Sequence, residues 1–130
     1  MKWMTQKEAR EASQGTFEQA IDSAIKHWTQ LATADNKELK RKYWLNSGKN
    51  HITDSYCALC LKYNIKSVEK GCKNCPAAGK TGKMNDCCKG LWLKGEEEWN
   101  YLGIRDGTFT KAAKKVMNFL IKLKKSAESA

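Results

Sequence analysis

The chain has 130 residues, 41% hydrophobic and 29% charged, with 24 basic against 14 acidic side chains for a formal net charge of +10. That length is one domain as a prior, and a mean hydropathy of −0.70 leaves it a modest core. A single proline and long periodic runs exclude a disordered chain, no run nears roughly 18 uncharged apolar residues as a membrane span requires, and the cationic excess excludes an acidic mimic of DNA.

Thr5-Gln6-Lys7-Glu8 has the spacing of a capping box and predicts a short helix over about 5–14 that stops at Gly15. Thr16-Phe17-Glu18-Gln19 repeats that arrangement and opens a stronger helix over 17–32. Phe17, Ile21, Ala24, Ile25, Trp28 and Leu31 form its apolar stripe at spacings of three and four. Asp22 and Lys26 are expected to pair along its exposed face, and His27, beside Trp28, is expected to be structural. Asp35-Asn36-Lys37-Glu38 starts a third helix over 36–47, carrying Leu39, Tyr43 and Leu45.

Over 51–91 the periodicity dissolves. This segment holds all six cysteines and the one proline, with few aliphatic side chains. Ordering such a stretch costs on the order of 1–2 kcal/mol of backbone entropy per residue, so a cross-link is expected. Beyond it, Glu96-Glu97-Glu98-Trp99 predicts a helix over about 95–102 ending at Gly103, its glutamates suited to the positive end of the helix. Asp106-Gly107 reads as a turn and Thr108 as the cap of a final helix over 109–126. Phe109, Ala112, Ala113, Val116, Phe119, Leu120 and Leu123 line one side of that helix, and lysines occupy the rest. The stripe is expected to dock on helix 17–32 rather than lie on an anionic membrane, and Phe119→Ala is expected to cost about 3–5 kcal/mol. The fold class expected is mainly α, a small helical domain with a central loop-rich, zinc-stapled, treble-knuckle-like insert.

The cysteines fall as Cys57-x2-Cys60, eleven residues, Cys72-x2-Cys75, eleven more, then Cys87-Cys88. Two such pairs supply four thiolates in tetrahedral array, each pair forming a knuckle and the loop between returning the second pair to the first. The simplest zinc ligand set is Cys57, Cys60, Cys72 and Cys75, with Cys87 as a substitute for Cys72 or Cys75. His51 is read as a surface or packing residue. Four thiolates close the ion off, so it staples rather than catalyses. An iron–sulfur cluster, suggested by Cys75-Pro76, lacks the tight three-cysteine run. Disulfides are the alternative in an oxidising setting, and redox catalysis lacks the strand–helix context. Residues 1–8 lack the apolar core of a signal peptide, which favours a reducing cytosol and hence metal.

Residues 37–89 carry a net charge of +8 and residues 104–130 of +5, whereas 1–36 carry −1 and 90–103 carry −2. Such concentration attracts polyanions. Lys62, Lys66, Lys70, Lys73, Lys80, Lys83 and Lys89 on the metal-ordered loops, with Lys111, Lys114, Lys115 and Lys122 on the last helix, are the expected nucleic-acid-binding face. Trp44 beside Arg41-Lys42-Tyr43, and Tyr63 between Lys62 and Lys66, interleave rings with cations as single-strand binders do. Against that, lysine predominates over arginine, the usual base-reading residue, so a merely solubilising surface accounts for the same charges. Two distant histidines, no paired-acid motif and no Gly-rich phosphate loop argue against an enzyme.

Tyr56-Cys57-Ala58-Leu59-Cys60 with Tyr63, Cys72-x2-Cys75-Pro76, and Lys80-Thr81-Gly82 before a further cysteine resemble a group of small cysteine-rich, zinc-finger-like accessory proteins of bacteriophages. The resemblance covers about half the chain, and Cys87-Cys88 and the basic last helix depart from it. It implies a phage-type accessory protein in a bacterial cytoplasm and no particular activity. The expected partner is nucleic acid, held through phosphates. The alternatives are an acidic or nucleic-acid-binding host protein, docked by an inhibitor or adaptor of host defence or transcription, and a small anionic nucleotide signal.

Overall fold

A computed structural model describes residues 2–45, 58, 94–95 and 97–129. Helices α1 (Gln6–Ser13), α2 (Phe17–Thr33), α3 (Asn36–Leu45), α4 (Tyr101–Asp106) and α5 (Thr108–Ser129) follow in order. No strand occurs among the described residues, and the protein is mainly α.

The first three helices begin where side-chain oxygens satisfy free amides. Thr5 Oγ1 accepts from the Glu8 N–H at 3.1 Å. At α2 the box is reciprocal: Thr16 Oγ1 accepts from Gln19 N–H at 3.1 Å, and Gln19 Oε1 accepts from Thr16 N–H at 2.8 Å. Asp35 Oδ1 accepts from Glu38 N–H at 2.8 Å and starts α3.

The core forms where α2 and α5 pack along each other. Ile21, Ala24, Trp28 and Leu31 meet Phe109, Ala113, Val116, Leu120 and Leu123, with Leu39, Trp99, Ile104 and Ala58 completing the cluster. Full burial stabilises each large member by about 1.5–3 kcal/mol. Ring contacts tie the layers together, Trp99 lying 4.7 Å from Phe109 and 5.6 Å from Tyr43 between centroids. Ahead of α1, the amide of Gln30 clamps the chain. Its Oε1 accepts from Met4 N–H at 2.8 Å and its Nε2 donates to Lys2 O at 2.7 Å, so Met4 is buried.

Three local expectations are corrected. Asp22 and Lys26 do not pair with each other: Asp22 reaches Lys124 of α5 at 2.7 Å, and Lys26 reaches Glu8 of α1 at 3.4 Å. Neighbouring helices bring opposite charges closer than one helical turn does. The helix expected to end at Gly103 breaks earlier, at Trp99-Asn100, and α4 runs through Gly103. Asn100 makes the junction, its Oδ1 accepting from Gly103 N–H and its Nδ2 donating to Glu97 O, both at 2.8 Å. Gly103 is there for proximity, because a Cβ on it would collide with the Glu98 carbonyl. Thr108 does not cap α5 from outside but is its first residue. The turn is made instead by Gly107, at φ 82°, in the left-handed region where a side chain is strained.

Candidate nucleic-acid interface

The basic residues of α5 follow from its periodicity. At about 100° per residue, Phe109, Ala113, Val116, Leu120 and Leu123 share one side, and Lys111, Lys114, Lys115, Lys122 and Lys125 fall within an arc of about 100° on the other. The first group is buried and all five lysines are exposed. Lys124 lies off the basic arc, half-buried and paired with Asp22. Between Thr108 and Ser126 there are six lysines and no acidic residue. From Lys111 to Lys125 the helix therefore presents a cationic stripe about 21 Å long, free of acidic residues, along one side of α5.

Beside the start of that stripe, Lys94 and Glu98 come close to α5. Lys94 Nζ lies 3.6 Å from Glu97 Oε2 and 3.4 Å from Glu98 Oε1. Thr108 Oγ1 donates to Glu98 Oε2 at 2.7 Å. The hydroxyl of Thr108, and secondarily Lys94, holds the Glu98 carboxyl below its usual range, so it is ionised at neutral pH. Lys94, Glu98, Thr108, Lys111, Ala112 and Lys115 together line an open cleft of about 240 Å³.

The basic–aromatic interleaving expected at 41–44 is arranged otherwise. Tyr43 is half-buried and packs edge-on against Trp99, so its ring belongs to the core. Lys42 sits over the Trp3 ring, 5.5 Å from its centroid, and burial lowers its pKa. The side chain of Trp44 lies outside the described residues. Among the described residues the exposed ring is Tyr101, 45% exposed with Lys40 over it at 5.3 Å, beside Leu102 at 56%. Tyr101 was assigned no role above, because inside the expected helix 95–102 it passes for another core aromatic. Its neighbours at helical spacing are charged in three of four cases, Glu97, Glu98 and Arg105 against the single apolar Ile104, and this is the signal that distinguishes it.

His27 is fully buried with its ring edge-on to Trp28, centroids 5.4 Å apart. Burial, with a smaller contribution from Lys42, pushes its pKa down to about 3. It belongs to the core, as its place beside Trp28 suggested.

Of the expected binding residues, the structure places Lys111, Lys114 and Lys115 together on the exposed stripe, with Lys122 further along. Cys57, Cys60, Cys72, Cys75, Cys87, Cys88, His51, and Lys62, Lys66, Lys70, Lys73, Lys80, Lys83 and Lys89 lie outside the described residues, as does Tyr63. Among the described residues, no group of three histidine, cysteine or acidic side chains is placed to hold a metal, and no helix is long and apolar enough to cross a membrane. Comparison with protein-family models, with curated proteins and with solved structures gives no match.

Proposed function

We propose that this protein is a non-enzymatic accessory module that binds nucleic acid mainly through its phosphates. The observation that carries this reading is the lysine stripe of α5, uninterrupted by acid and turned away from the core. Ammonium groups make point contacts to phosphate without reading bases, so affinity follows charge rather than sequence. Zinc held by Cys57, Cys60, Cys72 and Cys75, with Cys87 as the substitute ligand, orders the central segment and adds its lysines to the same function. The phage-type family and a bacterial cytoplasm belong to this proposal on the resemblance of the cysteine segment alone.

Fluorescence anisotropy on labelled oligonucleotides of several sequences, from low to high salt, tests it. Log affinity is expected to fall linearly with log salt, with a slope near −0.7 per phosphate contacted on single strands, and to vary little with sequence. Affinity indifferent to salt would overturn it.

A second reading is favoured by one observation. Tyr101 and Leu102 stand exposed side by side, flanked by Lys40. Such an apolar pair with a basic rim suits docking on an acidic host protein, as an inhibitor or adaptor. Co-purification of one host protein at constant stoichiometry, abolished by Leu102→Asp, with no mobility shift on DNA or RNA, would replace the first reading with this one.

A further inference from the structure

The cleft between the segment carrying Lys94 and Glu98 and the first turns of α5 differs from the rest of the stripe in being concave and in drawing cations from two parts of the chain. Its walls hold three ammonium groups and one carboxylate. That carboxylate is already engaged, Oε2 by the Thr108 hydroxyl and Oε1 by Lys94. Lys111 and Lys115 are one helical turn apart on the same side of α5, and among the described residues no carboxylate forms an ion pair with either. The lining thus keeps a formal charge of +2 with two cations directed at the same space, and Ala112 between them adds no competing acceptor. A tetrahedral oxyanion is the ligand that two ammonium groups on adjacent turns can share, one oxygen to each.

We propose that this cleft seats a single phosphate group, with Lys111 and Lys115 as its principal ligands and Lys94 closing the open side. The inference rests on the phosphate-binding reading above and makes it specific: one phosphate is localised at the head of α5, and the others are tracked loosely by Lys114, Lys122 and the remaining stripe.

The seat can be located by amide chemical shifts during titration with inorganic phosphate, ionic strength held constant with chloride. Saturable shifts are expected at Lys111, Ala112 and Lys115. Lys111→Ala/Lys115→Ala should weaken the binding about tenfold or more, the loss expected on removing charge-assisted hydrogen bonds, whereas Lys114→Ala/Lys122→Ala should leave it within about twofold. Shifts that chloride reproduces, or equal losses in the two double variants, would overturn the seat. A second titration, with a 5′-hydroxyl oligothymidylate, separates the sources of phosphate. Displacement of inorganic phosphate by the oligonucleotide means that a backbone diester occupies the seat. Failure to bind the oligonucleotide, with phosphate still held, overturns the nucleic-acid reading and leaves the cleft as a site for free phosphate or a nucleotide.

Discussion

His27 and Asn100 are two polar side chains whose surroundings set what they contribute. Burial keeps the His27 imidazole neutral, with a folded-state pKa of about 3 against an ordinary value of 6.5. The unfolded chain therefore binds a proton at this site before the folded one does, and the stability at stake is fully present above pH 6.5 and is lost as pH falls towards 3. The loss amounts to about 1.4 kcal/mol per pH unit, or about 2 kcal/mol at pH 5. Urea melts at pH 7 and pH 5 measure it, and His27→Leu should flatten the difference between them. Asn100 caps α4 through Gly103 N–H while donating to Glu97 O. Asn100→Ala should cost about 1–2 kcal/mol, because both groups lose their partner at once. An unchanged denaturation midpoint would show that the chain break at Trp99 forms without it. Neither role was legible in full. The position of His27 beside Trp28 pointed to the core, but the depth of its pKa shift depends on the packed layers and, to a smaller extent, on the charge of Lys42, which lie far away in sequence. Asn100 sat within what reads as one continuous helix, and only the close approach of Gly103 to Glu98 reveals why the chain must break there.

At the scale of elements, helical period was visible and helical width was not. The stripe of α2 read from spacing contains Ile21, Ala24, Trp28 and Leu31, all buried. Burial also takes in Ala20, His27 and Ala32, since α2 is covered by α1 and the amino-terminal residues as well as by α5. The same effect resolves the α5 stripe. Phe119 lies at its margin, half-buried against the core, whereas its neighbour Leu120 is 1% exposed. Leu120→Ala should cost about 2–5 kcal/mol, and Phe119→Ala should cost less than the 3–5 kcal/mol of a central position. Thermal melts of the two variants side by side decide the order, and a larger loss at Phe119 would contradict the packing described. The Asp22–Lys124 pair also joins α2 to α5, but both side chains are partly exposed, so Asp22→Ala should cost under about 1 kcal/mol. Hydrophobic contact, far more than charge, holds this pair of helices.

Over the whole molecule, Ala58 joins the helical core to the cysteine segment. It stands between Cys57 and Cys60 in sequence and is fully buried in the same cluster as Trp28 and Phe109. If those cysteines hold zinc, losing the metal is felt by the helices. Chelation of the reduced protein should then lower the thermal midpoint of the helical signal and restore it on adding zinc back. A melting curve indifferent to the chelator, with a native mass that includes no metal, would remove zinc from the proposal. A mass lower by about two daltons per cysteine pair would put disulfides in its place. The architecture of the helices was readable because their periodicity is local. The partner was not, because an exposed lysine has the same sequence signature whether it meets phosphate or water.

The packing of α2 against α5 also carries a consequence in time. The two faces of the core come from opposite ends of the chain, residues 17–33 and 108–129. During synthesis Ile21, Trp28 and Leu31 leave the ribosome long before Phe109 and Leu120 exist to cover them. The nascent chain therefore carries an open apolar face through the making of every cysteine, and closes it only when the last helix is released. The core is thus completed only once α5 has been made, and a message cut short before it yields a polypeptide in which Ile21, Trp28 and Leu31 lack the α5 side of their cluster.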